Sequence, residues 1–180
     1  MQARAVIAGI ALTVAMTAPA AAQEGEGLSD NVVGTESDWT VFVQPKDDPT
    51  RCWSVSIPKE SVNTDFDGNP KEVQRGDIVL SVSFRPQDDV AGEVSFTGGY
   101  PFEEGSFVTA EIGDQSFKMF TQGEWAWPRP EDDAAMITAM KAGADILLTG
   151  RSQRDTITKD TFSLFGFTAG YELAGEYCSQ

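Results

Sequence analysis

The sequence predicts an all-β, mainly antiparallel domain, a β-sandwich or flattened barrel with two short helices, one near the C-terminus. Three observations predict it. Short runs alternate large apolar residues with small or polar ones at period two, the pattern of half-buried antiparallel strands. Turn residues that tolerate positive φ fall between those runs, at Asp67-Gly68-Asn69-Pro70 and Gly113-Asp114. Two later segments alone switch to helical spacing, around residues 130–143 and 167–178.

The chain opens with Arg4, an apolar run over Val6–Ala15 and the small residues Ala18-Pro19-Ala20-Ala21-Ala22. That order reads as a secretory signal peptide over 1–22, cleaved after Ala22, because the apolar run is too short to span a bilayer. A periplasmic or secreted location is therefore expected, with no transmembrane segment in the mature chain. Removal of the leader leaves about 158 residues, the size of one domain. It also takes away Arg4, so the formal charge of −15 becomes about −16. Such a surface repels nucleic acid and anionic lipid. Residues 23–37 are acidic and poor in large apolar groups, and read as a flexible lead-in that cannot offset its ordering entropy. The domain is expected over 38–180.

Strand signals begin at once. Trp39, Val41 and Val43 alternate with Thr40, Phe42 and Gln44, and Trp53, Val55 and Ile57 with Cys52, Ser54 and Ser56. Ile78, Leu80, Val82 and Phe84 alternate with Val79, Ser81 and Ser83, and Glu93–Thr97, Ser106–Ile112 and Gln115–Thr121 add further strands. Roughly eight to ten strands are expected. Pro130-Glu131-Asp132-Asp133 ahead of Ala134–Ala142, with Lys141 near the end and Gly143 after it, is a helix signature by capping and dipole logic. Met136, Ile137 and Met140 form its docking face. Over Thr168–Tyr177, Phe167, Tyr171, Ala174 and Cys178 form one helical stripe. Cys178 then lies on the buried side of that helix and Cys52 on the strand face opposite Trp53. An exported chain with two cysteines favours a Cys52–Cys178 disulfide. Intermolecular pairing and metal binding are the alternatives, and two thiols without histidine are too few for a metal.

No catalytic residue, cofactor or metal site is expected, and the protein is read as not an enzyme. Histidine is absent, which removes the commonest general base and transition-metal ligand. No G-x-S-x-G elbow, P-loop or G-x-G-x-x-G fingerprint occurs. Lys59, Lys71, Lys118, Lys141 and Lys159 leave a serine–lysine pair open in principle. Asp65-Phe66-Asp67-Gly68-Asn69 resembles a calcium loop but lacks its closing glutamate, so it reads as a turn. The more suggestive patches are aromatic and basic. Trp125 and Trp127, two apart, face one side of an extended segment, and Tyr100 lies in a second ring-rich turn. Arg151 and Arg154 form a basic tip at a hairpin turn over Ser152–Asp155. These five are the candidate partner-binding residues, for an unidentified protein or glycan partner in the envelope. A carboxylate-based envelope hydrolase and a calcium-dependent adhesion module are the alternatives.

Four stretches together resemble the invasion-associated locus B family of exported proteins from Gram-negative, mostly alphaproteobacterial, cells. They are Asp38-Trp39-Thr40-Val41-Phe42-Val43, Cys52-Trp53-Ser54-Val55-Ser56, Gly92-Glu93-Val94-Ser95-Phe96, and Asp160–Ala169 with its Ser163-Leu164-Phe165-Gly166-Phe167 core. The resemblance runs from about Asp38 to Cys178. Members often carry a further mid-chain cysteine pair, so the sequence looks like a shorter, two-cysteine branch. The resemblance implies a periplasmic or outer-membrane-associated β-sandwich-like domain, with a link of the founding members to host-cell entry and no catalytic residues to carry over.

Overall fold

The computed structural model describes residues 31–179, so the leader read over 1–22 lies outside the described residues. Eleven strands and two α-helices follow in the order β1 (Val32–Glu36), β2 (Trp39–Gln44), β3 (Arg51–Ser56), β4 (Glu60–Thr64), β5 (Val79–Arg85), β6 (Val90–Thr97), β7 (Phe107–Ile112), β8 (Gln115–Gln122), β9 (Trp125–Trp127), α1 (Pro130–Ala142), β10 (Asp145–Arg151), β11 (Ile157–Ser163) and α2 (Phe167–Tyr177). Every ladder is antiparallel, and the strands join one open sheet in the order β1-β2-β3-β5-β6-β9-β8-β7-β10-β11-β4.

The sheet curls around its own core. Phe96 of β6 meets Phe162 of β11 edge-on, ring centroids 6.0 Å apart, although four strands separate them in the ladder. The two ends also approach each other. Asp38 N donates to Phe165 O at 3.2 Å, and the Trp39 indole donates to Ser163 O at 3.0 Å. The two layers expected from the sequence are thus halves of one continuous sheet, which stays open because β1 and β4 are edges.

Both helices cover the concave side. Pro130 sits at the start of α1, where a missing N–H costs nothing, and Glu131, Asp132 and Asp133 face the positive end of the helix dipole. Met136, Ile137, Ala139 and Met140 are its buried residues. Asp133 ties the first turn to β6 by accepting from Val94 N at 2.9 Å. Burial, with Glu93 and Asp132 nearby, pushes its carboxyl up to about 6. In α2, Phe167, Ala174 and Cys178 are buried as the stripe requires, and Trp39 meets Phe167 edge-on at 4.9 Å. Gly166, at φ 92°, turns the chain into this helix in a conformation that a side chain would strain. The two helices touch through Lys141, whose amine lies 4.3 Å from the Tyr171 ring centre and 3.6 Å from Glu172.

The Cys52–Cys178 disulfide is present, with Cα atoms 5.9 Å apart across 126 residues. It fastens the end of α2 to β3. That helix decides which face of β3 points inward. The alternation of Trp53, Val55 and Ile57 suggests an apolar inner face, yet Cys52, Ser54 and Ser56 are the buried set. Small residues are needed there because α2 comes very close: a Cβ at Gly170 would lie 2.6 Å from Ser54 Oγ and 3.3 Å from Trp39 Cβ. Trp53 and Val55 are left on the opposite face, and Ile57, just beyond the strand, is exposed.

The lead-in read over 23–37 is corrected over its last residues, while 23–30 lie outside the described residues. Residues 32–36 are β1, which pairs with β2 and receives Leu173 of α2 over Gly34. Val32-Val33-Gly34-Thr35-Glu36 is too short to show a period, and its order comes from those long-range partners. The polar edge strand β4 likewise has no local signal, since Glu60, Ser61 and Val62 are exposed and, of the strands, β11 alone pairs with it.

Three outcomes are expected. Replacing both cysteines with alanine should lower unfolding stability by about 4–5 kcal/mol, read from denaturant midpoints. Gly170→Ala should cost about 1–3 kcal/mol by overpacking. Part of that loss should return in a Ser54→Ala background, which removes the clashing Oγ and a buried hydroxyl that has no hydrogen-bond partner. Asp133→Asn tests the buried carboxyl. With the folded value above the unfolded one, its contribution is fully present below about pH 4 and lost as pH rises through about 6. The variant should therefore match the parent near pH 4 and melt about 2–4 °C higher at pH 7.5, once solvent screening of this half-exposed group is allowed for.

Candidate functional site

The face of the sheet away from the helices carries a groove of about 540 Å³. Register builds it. Val79, Ser81 and Ser83 of β5 lie opposite Thr97, Ser95 and Glu93 of β6, which makes a floor two strands wide. On one side Trp53 of β3 pairs with Ser83 and has Phe42 of β2 directly opposite it. Their rings are parallel within 7° and 5.6 Å apart, too close to lie side by side in one plane. Phe42 therefore backs one face of Trp53 and leaves the other for the groove.

On the other side Trp125 of β9 pairs with Thr97, and Trp127 points the same way two residues on, with Ala126 buried between them. Those indoles are 6.4 Å apart and inclined by 26°. Three strand spacings separate β3 from β9, roughly 14 Å. A row of rings continues outward from Trp127 to Phe120 and Phe107, its partners on β8 and β7. Arg129 and Lys118 cover those two rings, at 5.0 and 5.3 Å from their centres.

Floor and ends are polar. Ser81 and Ser95 share a 2.7 Å hydrogen bond, and both are only 7% exposed. Arg85 forks onto Glu93 at 3.1 Å and reaches Asp88 at 3.5 Å. Arg51 shares that end of the groove lining, and Asp77 lies at the other. Phe42, Trp53 and the serine floor were not among the residues picked from the sequence. The available signal was Phe42 and Trp53 in successive strands, on the face opposite the disulfide cysteine.

The five sequence-picked residues do not come together. Trp125 and Trp127 stand side by side in the groove wall. Tyr100 and Arg154 line a separate cleft of about 510 Å³, formed by the 72–75 segment, the 99–101 turn and the β10–β11 hairpin. The Tyr100 hydroxyl bonds Thr158 at 2.5 Å, and burial pushes its phenol up to about 12. Beside it Arg75 forms a nearly buried, two-pronged pair with Asp160, at 2.6 and 2.9 Å, and donates to Gly98 O. Arg151 is held by Glu103 at 2.8 Å and Asp155 at 3.1 Å, over the ring of Phe66. The β10–β11 tip is a turn as expected, closed by Ser152 N to Thr156 O at 3.0 Å.

Two other sequence features are now placed. Asp65 spends its carboxylate on the backbone N–H groups of Asp67 and Asn69 and on the Asn69 amide, which is an Asx-type turn. Ser56-Ile57-Pro58-Lys59 has the S-x-x-K spacing of some serine–lysine hydrolases. Ser56 faces the core, however, and Lys59 pairs with Asp38, so the two do not form a dyad. Among the described residues no group of three Cys, Asp or Glu side chains is placed to hold a metal, and no helix is long and apolar enough to cross a membrane.

Fold and groove together define a curled antiparallel-sheet protein, with helices on its concave side and an aromatic-walled recess on its outer side. Neither a family model nor a curated protein matches the sequence. A solved structure is similar, that of invasion associated protein B from Bartonella henselae, with a TM-score of 0.54 and 11% identity over 82% of this chain and 98% of that one. At that identity the likeness is one of fold.

Proposed function

We propose that this is an exported envelope protein of the invasion-associated locus B type, which works by binding a partner through its outer groove and not by catalysis. One observation carries the reading: two pairs of aromatic rings, offset diagonally along the strands, flank a floor made largely of small hydroxyl residues. Trp125 is left 41% exposed beside a second indole, more apolar surface than the core itself requires. Concave sites lined by rings and a few convergent polar groups are where ligands bind. Export is supported by the leader pattern and by a disulfide, a bond that persists in oxidising compartments. The similar Bartonella henselae structure, of an invasion associated protein, supports the fold on which this reading is built.

The hydrolase alternative has less support. Glu93 pairs with Ser83, six residues along extended chain from Asp77, so the groove's two carboxylates lie roughly 20 Å apart. Glycosidase pairs need about 5–9.5 Å. The calcium alternative is weakened by Asp65, whose oxygens are already used.

The test is capture from envelope extracts, with the protein immobilised, against a Trp125→Ala/Trp127→Ala variant. Partner recovery should fall at least about tenfold while the melting temperature drops by no more than about 4 °C, since both rings stand outside the core. Equal recovery by both proteins would remove the groove from the binding reading. Unfolding of the variant would make the rings structural.

A further inference from the structure

We infer that the groove takes an uncharged, β-linked polysaccharide chain, an assignment that rests on the binding role proposed above. Three features of the recess choose this ligand over a peptide. The first is the walls. A pyranose with equatorial hydroxyls keeps its polar groups on its rim and leaves two C–H faces, which stack on the electron-rich faces of aromatic rings. Trp53, backed by Phe42, offers one such face, and the Trp125–Trp127 pair stands diagonally across the floor, two to four residues further along the strands.

The second is the floor. An extended peptide binds a sheet by pairing with free backbone groups at an edge. β5 is paired on both sides, by β3 and β6. β6 is paired with β5 along its length and with β9 at Phe96 and Thr97, and Val94 N further back is taken by Asp133, so the floor presents no full strand edge. What remains is side-chain chemistry from Ser81, Ser83, Ser95 and Thr97. An apolar anchor pressed onto half-buried Ser83 would strip its hydroxyl of water without returning a hydrogen bond. Ser81 and Ser95, which bond each other, and Thr97, which accepts from Gly99 N, keep only their remaining capacity. A ligand ringed with hydroxyls returns the bond to Ser83. The Arg85–Glu93 pair adds planar donors and acceptors held in fixed geometry at the groove end.

The third is charge. The chain carries a formal −15, yet the groove lining holds two arginines, Arg51 and Arg85, against two carboxylates, Asp77 and Glu93. A balanced recess in an acidic molecule suits a neutral chain, and the surrounding field disfavours a polyanion.

The experiment titrates the disulfide-bonded protein with cellohexaose and chitohexaose as neutral probes, oligogalacturonate as the acidic counterpart, and a library of uncharged extended peptides. Calorimetry and tryptophan emission are the readouts. At least one neutral oligosaccharide should bind saturably and with little salt dependence. Binding should weaken at least about tenfold in Trp53→Ala and in Trp125→Ala/Trp127→Ala, one variant for each wall. Melting curves identify any variant that fails to fold, and the other wall then supplies the same test. Tighter binding of oligogalacturonate overturns the neutral assignment. Peptide binding that depends on the same tryptophans, with the neutral sugars silent, overturns the glycan and leaves the binding role standing. Sugar binding unchanged by either variant moves the site elsewhere. Silence from every probe overturns glycan and groove together.

Discussion

The close seating of α2 on β2 and β3 is the contact from which the arrangement of both sheet faces follows. A helix brought to backbone distance leaves no room for large side chains, so β3 must turn Cys52, Ser54 and Ser56 toward it. Period two then sends Trp53 and Val55 to the far side. The outer aromatic wall is thus a consequence of packing on the inner face. On β2 the period alone sends Phe42 outward, since Trp39, Val41 and Val43 fill the space under the helix. On β3 a ring on the open side is what remains when small residues are used for the helix contact.

A second fixed point lies at the other end of the molecule. The long passage from edge strand β4 to central strand β5 has little regular structure and must be held across the curl of the sheet. Arg75 holds it, forking onto Asp160 while Ser61 donates to the same carboxylate at 2.7 Å. Burying a guanidinium and a carboxylate is costly unless every donor and acceptor is met, and here most of them are. The pair fixes where Asp77 and Val79 enter the sheet and so where the groove floor begins. The two halves of the recess therefore have separate supports, a helix behind Trp53 and an ion pair ahead of β5.

Much of this was legible in the sequence, and the failures share a cause. Strands rich in alternating apolar residues, the acid-to-lysine gradient of α1 and the i, i+4, i+7 stripe of α2 are local signals, and they placed those elements within a few residues. β1 and β4 have no such signal, because edge strands are ordered by their neighbours. The orientation of β3 was misleading for the same reason, since hydrophobicity alone cannot show that a glycine on a helix far along the chain will need the space beside Ser54. For the site, Trp125 and Trp127 were visible as an i, i+2 pair. Trp53 and Phe42 were not, because the ladder that brings β3 within two strands of β9 is not written locally. Tyr100, Arg151 and Arg154 looked free in the sequence, yet Tyr100 and Arg151 are tied down by hydrogen bonds and ion pairs.

The bond between residues 52 and 178 also sets an order of events. Cys178 follows every strand in the chain, so a ribosome must finish all eleven before the covalent lock behind Trp53 can close. Until then the wall is held by packing alone, and nascent or reduced protein carries an unfastened recess. Oxidation of the two thiols can follow only once the last strand has been made, and the recess stays unlocked on any copy synthesised only in part.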